Sequence, residues 1–219
     1  MTNSVISIKQ KRIKGAFKRT FDIVVILLIS PIAILVTTLI FLMILIEQIL
    51  TGDFGPVLIA EPRISRGRPF NLLKLNMFKE GPRQQYRKED GYFEKYGSHS
   101  MLQKNSESLR FVGSFMKKFY MDELGQVINI LRGEMSVVGP RPQPPIETSN
   151  DLPPRKFLKT GIFCFKANKW KNRGDTILQQ ESDMDYYESY ASSSALGLMR
   201  LDILIVTDGI RAIIRGEGL

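Results

Sequence analysis

The chain has 219 residues, a globular composition and a formal net charge of +9. One histidine, His99, and one cysteine, Cys164, exclude an intrachain disulfide and a zinc site of the usual Cys/His type. They also disfavour Ser-His-Asp and Cys-His catalysis, because His99 lies in a polar stretch with no evident partner. Any metal should be a hard cation held by oxygen, and the basic excess favours an anionic partner.

The N-terminus joins a basic stretch to a long apolar one. Residues 1–20 contain six basic residues and no acid, and we expect two of them, Lys18 and Arg19, at a membrane interface. No residue from 23 to 46 is charged, and about 20 apolar residues suffice to span a bilayer. The pattern predicts a membrane helix at 21–50 rather than a buried soluble helix or a cleaved signal peptide.

Ser30 and Pro31 interrupt this apolar run. Proline removes a backbone donor and clashes with the carbonyl four residues earlier, so the helix should kink or break there, and the Ser30 hydroxyl can bond a freed backbone group. Basic residues lie on both flanks of the run, and such residues favour the cytoplasmic face. A re-entrant hairpin that enters and leaves by one face satisfies both flanks. A kinked spanning helix is the alternative.

The next elements follow in chain order. Residues 51–78 predict turn, strand, turn, strand, because glycines and prolines separate short apolar runs. Residues 80–108 predict a short helix and loops. Residues 110–132 predict one helix, since apolar residues recur at spacings of three and four: Met121, Leu124, Ile128 and Leu131.

Residues 140–160 are rich in proline and predict a loop. The tail predicts an amphipathic helix that ends near Gly216. Its arginines, Arg200, Arg211 and Arg215, would face lipid headgroups if the helix lies in the interface. A terminal helix packed on the core is the equally simple alternative. The fold class expected from these elements is mixed α/β, mostly α, with a basic segment at 1–20, a membrane segment at 21–50 and a further domain at 51–219.

The segment MDELGQVINILRGEMSVVGPRP, from 121 to 142, combines acids with a rigidly held arginine. Asp122, Gln126 and Asn129 share one face of the predicted helix. Asp122 and Glu123 at the helix start need no chemical role, because acids there complement the helix dipole. Arg141 changes this interpretation. Two flanking prolines stiffen its loop, and a planar guanidinium held this way suits phosphate recognition.

The same segment resembles the signature of the bacterial sugar transferases, the monotopic polyprenyl-phosphate phosphoglycosyl transferases. The resemblance extends over nearly the whole chain. KRTFDIVVILLISPI resembles the family's basic entry and re-entrant helix, GPVLIAEPR and FNLLKLNM resemble its two strands, and DYYESYASSSALGLMRLDILIVTDGIRAIIRGEG resembles its C-terminus. The segment around Asp122 is the specific one.

The resemblance implies transfer of a phosphosugar from a nucleoside diphosphate sugar, usually a UDP-sugar, to polyprenyl (undecaprenyl) phosphate, with release of UMP. It implies Asp122 as a nucleophile that forms a covalent intermediate and Glu123 as a ligand of Mg²⁺. Phosphate oxygens would contact basic side chains: Arg141, Lys117, Arg63 and Lys74. The family works at the cytoplasmic face of the bacterial inner membrane, where membrane lipids and anionic substrates suit the charge of +9.

Three positions depart from the family pattern. Gly125 replaces a proline, Asn76 replaces an arginine, and Glu61 replaces a glutamine. These departures allow a second hypothesis, a catalytically impaired homologue that acts as a membrane-bound binding or scaffold subunit. A nucleic-acid partner is disfavoured because no basic and aromatic platform is present. Exposed apolar faces near the membrane would allow a homodimer.

Overall fold

The computed structural model describes residues 8–89, 93, 97–146, 151–165 and 176–215. Within these residues the protein is mixed α/β and mostly helical, as the sequence predicted, with two small sheets among the helices. The expected helix end near Gly216 lies outside the described residues.

The first helix, α1 (Ile8–Thr51), contains the apolar run. Its stretch Lys14–Thr51 is long and apolar enough to cross a membrane, with a mean hydropathy of 2.9 over an 18-residue window. The helix is continuous through Ser30 and Pro31, so the two helices expected on either side of a break are one helix. The Ser30 hydroxyl donates to the Leu27 carbonyl at 2.9 Å, the group that Pro31 leaves without its amide donor.

The two ends of the apolar run in α1 both contact the globular part of the protein, which is formed by the residues after Thr51. On the second flank, the Glu47 carboxylate accepts from the amides of Phe111 and Val112 at 2.8 and 3.1 Å, which caps the start of a later helix. On the first flank, the Asp22 carboxylate accepts from Val137 N at 2.9 Å. The exposed apolar middle of α1 therefore lies between two anchored ends.

An antiparallel hairpin follows α1 and confirms the predicted strands. It consists of β1 (Leu58–Ser65) and β2 (Arg68–Leu75), with Leu58 opposite Leu75. The connecting residues Arg66 and Gly67 both have positive φ, 51° and 70°. This is the geometry of a two-residue turn whose twist matches that of the strands, and glycine adopts it without steric cost.

The later elements are short and mostly helical. The predicted helix and loops at 80–108 are confirmed in the described part of that range, and the described part of the predicted loop at 140–160 contains one short helix. Residues 90–92, 94–96 and 147–150 of these two ranges lie outside the described residues. The elements in order are α2 (Glu80–Glu89), 3₁₀ turns at Leu102–Lys104 and Ser106–Ser108, α3 (Phe111–Lys118), a 3₁₀ turn at Met121–Gly125, α4 (Gln126–Leu131), β3 (Ser136–Val138), α5 (Pro153–Phe157), β4 (Gly161–Phe163), α6 (Thr176–Ser192) and α7 (Ala195–Arg215). β3 and β4 pair in parallel, with Ser136 opposite Gly161.

The protein has two hydrophobic clusters, and α1 packs in both: its N-terminal half in the first and its C-terminal half in the second. Phe21 and Ile26 pack in the first, with β3, α4 and α7. Ile40 and Ile44 pack in the second, with the hairpin and α3. The last helix buries Leu198 against the first cluster, while apolar side chains on its other side are exposed, as are Arg200, Arg211 and Arg215. Core packing of this helix is therefore observed, and its contact with lipid stays a prediction.

Candidate active site

The acidic turn, Met121–Gly125, holds the two carboxylates at the centre of the site. One continuous helix over 110–132 was predicted, and this was wrong: α3 ends at Lys118, and Tyr120 adopts a left-handed conformation with φ 56°. Such a backbone is uncommon for a residue with a side chain and typically marks a functional or strained position. The change of direction buries Asp122, which is 4% exposed, and leaves Glu123 half-buried.

The polar face of α4 is buried, and part of its apolar face is exposed. Ile128 and Leu131 are 39% and 50% exposed, so the predicted apolar face is only partly the packing face. The outer edge of β2 explains this. Asn129 accepts a hydrogen bond from Leu73 N at 2.9 Å and donates to Asn71 O at 2.8 Å. The amide side chain therefore satisfies backbone groups that the two-stranded sheet leaves unpaired.

Gly125 lets the acidic turn approach β2 closely. A Cβ atom at this position would lie 2.8 Å from the Leu73 carbonyl oxygen and 3.1 Å from Lys74 N. Both neighbours are backbone atoms that cannot swing aside. The glycine that replaces the family's proline is therefore matched to this packing, and it brings the turn beside Lys74.

Lys74 lies between two carboxylates. Its ammonium is 3.9 Å from Asp122 Oδ2 and 3.6 Å from Glu61 Oε2. The side chain projects from β2, opposite Ile59 in the hairpin register, and is half-buried. Lys74 was predicted to bind phosphate, and that stays a prediction. The structure places its ammonium beside the acidic turn and beside Glu61, an acid that the sequence showed only as a departure from the family pattern.

Glu61 is 1% exposed and, besides lying near Lys74, accepts three hydrogen bonds. Arg63 Nη2 donates to Oε2 at 2.6 Å, while His99 N and Nδ1 lie 2.9 and 3.0 Å from Oε1. Burial alone would raise the pKa of Glu61, but Lys74, His99 and Arg63 together hold it well below its usual value. The carboxylate is therefore charged at the site.

Arg63 was predicted to bind phosphate, and the structure places its guanidinium against protein acceptors. Besides Glu61, Nη1 donates to the carbonyls of Pro62 and Gly97 at 2.7 and 2.9 Å. The buried guanidinium supports Glu61 and the segment around Gly97. A direct contact of Arg63 with phosphate stays a prediction.

The loop 139–142, which contains Arg141, is held from its backbone. Arg155 donates to the Arg141 carbonyl, and the Arg141 amide donates to the Asp183 carboxylate. Arg155 and Asp183 also pair directly, with Nη2 and Oδ2 2.5 Å apart and both side chains buried. The Arg141 side chain is half-buried, and both it and Glu123 act electrostatically on Cys164, so the two share one neighbourhood.

Three other predicted basic residues lie elsewhere. The exposed Lys117 donates to Gln103 O at 2.6 Å, and in the described part of the chain it forms no ion pair with the acidic turn. Lys18 pairs with buried Asp202 at 2.5 Å, and Arg19 donates to the carbonyls of Ile130 and Leu131 at the end of α4. The head groups of Lys18 and Arg19 thus dock α1 on the globular part, which differs from the expected contact with lipid headgroups.

The acidic turn fits one divalent cation in an open site. Among the described residues Glu123 forms no ion pair and its carboxylate accepts no hydrogen bond. Across the same residues no group of three or more His, Cys, Asp or Glu could enclose a metal ion. Mg²⁺ typically uses one or two carboxylates, water and substrate phosphates, so Glu123 suits this mode of binding.

Sequence reasoning missed four residues that organise the site: His99, Glu61, Arg155 and Asp183. His99 was set aside because no partner is near it in sequence, and its partner Glu61 is 38 positions away. For Glu61 the sequence did contain a usable signal. Glu61 and Arg63 are two apart on a predicted strand, so they point to the same face, which identifies a charged pair on one side of the hairpin.

Comparison with known proteins shows the family of this chain. Residues 13–216 match the family model described as bacterial sugar transferase, and the chain belongs to that family. The exopolysaccharide production protein ExoY of Rhizobium meliloti (strain 1021) is 35% identical over 139 residues, which cover 59% of this chain and 57% of that protein.

Two longer relatives have named activities. An undecaprenyl-phosphate galactose phosphotransferase of Salmonella typhimurium is 33% identical over 140 residues, covering 60% of this chain and 27% of that protein. A UDP-glucose:undecaprenyl-phosphate glucose-1-phosphate transferase of Klebsiella pneumoniae is 28% identical over 189 residues, covering 80% of this chain and 36% of that protein. The matched region is thus about half or less of each of these three relatives.

Proposed function

We propose that this protein transfers a phosphosugar from a UDP-sugar to polyprenyl phosphate and releases UMP. The observation that carries the proposal is Asp122, a buried carboxylate 3.9 Å from the Lys74 ammonium, in a turn that also presents Glu123. Membership of the sugar transferase family and the named activities of the relatives support the reaction class. This would be the first membrane step in assembling a glycoconjugate.

The proposed reaction has two displacements at one phosphorus. An Asp122 oxygen attacks the β-phosphorus of the sugar nucleotide, and the bond to the bridging oxygen breaks so that UMP leaves with the electron pair. The polyprenyl phosphate oxygen then attacks the same phosphorus and releases Asp122 as a carboxylate. A carboxylate is suited to both roles, since it is a competent nucleophile and a good leaving group from phosphorus.

The surrounding residues would manage the charge of the diphosphate. Lys74 and Arg141 would contact phosphate oxygens, and Glu123 would hold Mg²⁺, which screens phosphate charge when bound. The buried Arg155–Asp183 pair would keep the backbone of Arg141 in position. Arg63 and Lys117 would contribute to phosphate binding only if they exchange their present acceptors for the substrate.

The contacts of α1 support a re-entrant path, and the basic residues on both flanks favour the cytoplasmic side of the inner membrane for the catalytic part. Lys18 and Glu47 are 29 positions apart and would lie about 43 Å apart in a straight helix at 1.5 Å per residue, more than the ~30 Å hydrocarbon core. Both residues bond to the same globular part. A straight spanning helix would place them on opposite faces, so we infer that the helix bends near Pro31.

The first test is UMP release from a panel of UDP-sugars with purified protein, Mg²⁺ and undecaprenyl phosphate. We expect release with one or two sugars, loss of release on chelation, and loss of at least about 10³-fold in Asp122→Asn, since a nucleophile is removed. Membrane association and folding of that variant should be unchanged. Substantial turnover by Asp122→Asn would exclude Asp122 as the nucleophile. A folded wild-type protein inactive with every sugar would favour the impaired binding subunit.

The topology test labels single cysteines in intact cells with an impermeant reagent. Val5→Cys and Phe54→Cys probe the two flanks, and Phe54 is 64% exposed. Burial raises the pKa of Cys164 to about 12, so this thiol contributes little background even before it is replaced by serine. We expect both introduced cysteines to be protected from reagent outside the cell. Labelling of only one of them would show that the helix spans.

A further inference from the structure

Three N–H donors and one more distant ammonium converge on Glu61 from three different segments. Glu61 accepts from Arg63 Nη2, His99 N and His99 Nδ1 at 2.6, 2.9 and 3.0 Å, and the Lys74 ammonium lies 3.6 Å away. A carboxylate has two equivalent acceptor oxygens and can face all four groups. A glutamine would turn its amide donors towards one pair of these donors. The acid is therefore matched to the site by its hydrogen-bond requirements, although the family usually has glutamine here.

The contact with Glu61 determines the tautomer of His99. A charged carboxylate only accepts, so Nδ1 must bear the hydrogen, and in the neutral ring Nε2 then bears none. His99 is buried, and among the described residues Nε2 has no hydrogen-bond partner. Aromatic rings pack around it, with centroids of Phe78 and Phe93 at 5.4 and 4.6 Å. An unpaired acceptor costs less in this environment than an unpaired N–H donor.

Lys74 is the link between this cluster and the nucleophile. Its ammonium is slightly closer to Glu61 than to Asp122, at 3.6 against 3.9 Å, and it is in direct hydrogen-bond contact with neither carboxylate. Both anions attract the ammonium, and it is within 4 Å of each without direct contact with either. With a neutral residue at position 61, the Asp122 carboxylate would be the remaining anion beside Lys74.

We propose that Glu61 is a positioning residue that keeps Lys74 from closing on Asp122, with His99 and Arg63 fixing the Glu61 carboxylate. This inference rests on the proposed function, in which Asp122 must approach a phosphorus atom. A direct ion pair with Lys74 would occupy a carboxylate lone pair and obstruct the line of attack. Shared between two acids, Lys74 remains available to a phosphate oxygen, and its ammonium forms no direct bond to the Asp122 oxygens.

The activity test compares Glu61→Gln with wild type in single turnovers without the lipid acceptor, which isolate formation of the intermediate. We expect its rate to fall about 10- to 100-fold, the range for losing a charge-assisted contact. The KM for the sugar nucleotide should change less than about threefold. The matched control is Glu107→Gln, which removes the same charge from an exposed acid and should keep the wild-type rate.

Two structural measurements decide the inference without an activity assay. The chain has a single histidine, so ¹⁵N-histidine labelling reports only His99. We expect a protonated Nδ1 and an unprotonated Nε2 in wild type, with a shift towards the other tautomer in Glu61→Gln. In a structure of that variant we expect Lys74 Nζ and Asp122 Oδ2 to move from 3.9 Å to direct hydrogen-bond contact.

The outcomes separate this inference from the proposed function. Wild-type protein that lacks turnover, combined with the expected closing of Lys74 in the variant, would overturn the reaction but keep the positioning role of Glu61. An unchanged distance between Lys74 and Asp122, or a folded variant with an unchanged rate of intermediate formation, would overturn the inference. A variant that only loses stability, with normal kcat per folded molecule, would likewise show a merely structural role.

Discussion

Two buried carboxylates flank the candidate site, and they differ in how many donors surround them. Glu61 on the hairpin is contacted by Arg63, Lys74 and His99, whereas Asp183 on α6 has one guanidinium, that of Arg155, and the Arg141 amide. Lys74, His99 and Arg63 hold the pKa of Glu61 well below its usual value, against the opposing effect of burial. Burial raises the pKa of Asp183 to about 6 against the opposing effect of Arg155.

The comparison shows that burial alone does not decide the charge of a carboxylate. Both side chains are at most 3% exposed, so they lose a similar amount of hydration. The number of converging cations and N–H donors differs, and this number determines whether the ionised form is favoured. The hairpin side is therefore a compensated charge cluster, and the α6 side is a single buried pair that depends on one partner.

The largest expected effect is on the α6 side. Arg155→Met leaves Asp183 buried without its cation and removes a donor from the Arg141 carbonyl, so we expect a loss of about 3–5 kcal/mol in the free energy of unfolding at pH 7. Chemical denaturation in detergent measures it. The control is the next residue, Lys156→Met, whose exposed pair with Asp151 should contribute less than about 1 kcal/mol. Equal losses in Arg155→Met and Lys156→Met would mean that the buried ion pair stabilises the protein no more than the exposed one.

The second prediction is that the two acids give opposite pH dependences of stability. The folded-state pKa of Asp183 is above its usual 3.8, so the folded state binds more protons and stability falls as pH rises from about 4 to 6. The full effect is up to about 3 kcal/mol for a shift of this size. The folded-state pKa of Glu61 is below its usual 4.5, so its contribution is present above about pH 4.5 and is lost at lower pH.

Unfolding free energies of wild type, Asp183→Asn and Glu61→Gln between pH 3.5 and 7 test this prediction. The asparagine variant should lack the decline between about pH 4 and 6, and the glutamine variant should lack the loss below about pH 4.5. Wild-type protein serves as the reference for both. The same pH profile in both variants would mean that the two acids have equivalent surroundings, which contradicts the comparison.

The smallest effect concerns the close packing on which the hairpin side depends. Gly125→Ala places a Cβ atom 2.8 Å from the Leu73 carbonyl oxygen, and we expect a cost of about 1–3 kcal/mol from overpacking. The acidic turn should also move away from Lys74. Gly81→Ala, at a position with no atom within 4 Å, should remain within about 1 kcal/mol of wild type. A stable and fully active Gly125→Ala variant would show that close packing of the acidic turn on β2 is not required.

Local patterns in the sequence were sufficient for much of the fold and for part of the site. The hairpin follows from short apolar runs separated by glycine and proline, and α1 follows from an uncharged run of 24 residues. Asp122, Glu123 and Arg141 were singled out because acids at a helix start and an arginine between prolines are local features. The bond from Ser30 to Leu27 was also predictable, since it repairs a defect four residues from Pro31.

The predictions that failed were overridden by contacts between residues far apart in the sequence. The helix expected over 110–132 is interrupted at Tyr120, because the turn must bring Asp122 towards β2. The polar face of α4 is buried because Asn129 meets the free edge of a strand more than 50 residues away. Lys18 and Arg19 bond to α7 and α4 rather than face lipid, because the first flank of α1 docks there.

The long apolar helix, the hairpin and the chemical types at the site could be predicted from the amino-acid order, because they depend on composition and on spacings of a few residues. The contacts that link Glu61, His99, Lys74 and Asp122, and those by which Asp183 and Arg155 hold Arg141, are visible only in the folded chain. The physical reason is that a buried charge must find its partners where the fold brings donors together, irrespective of their separation along the chain.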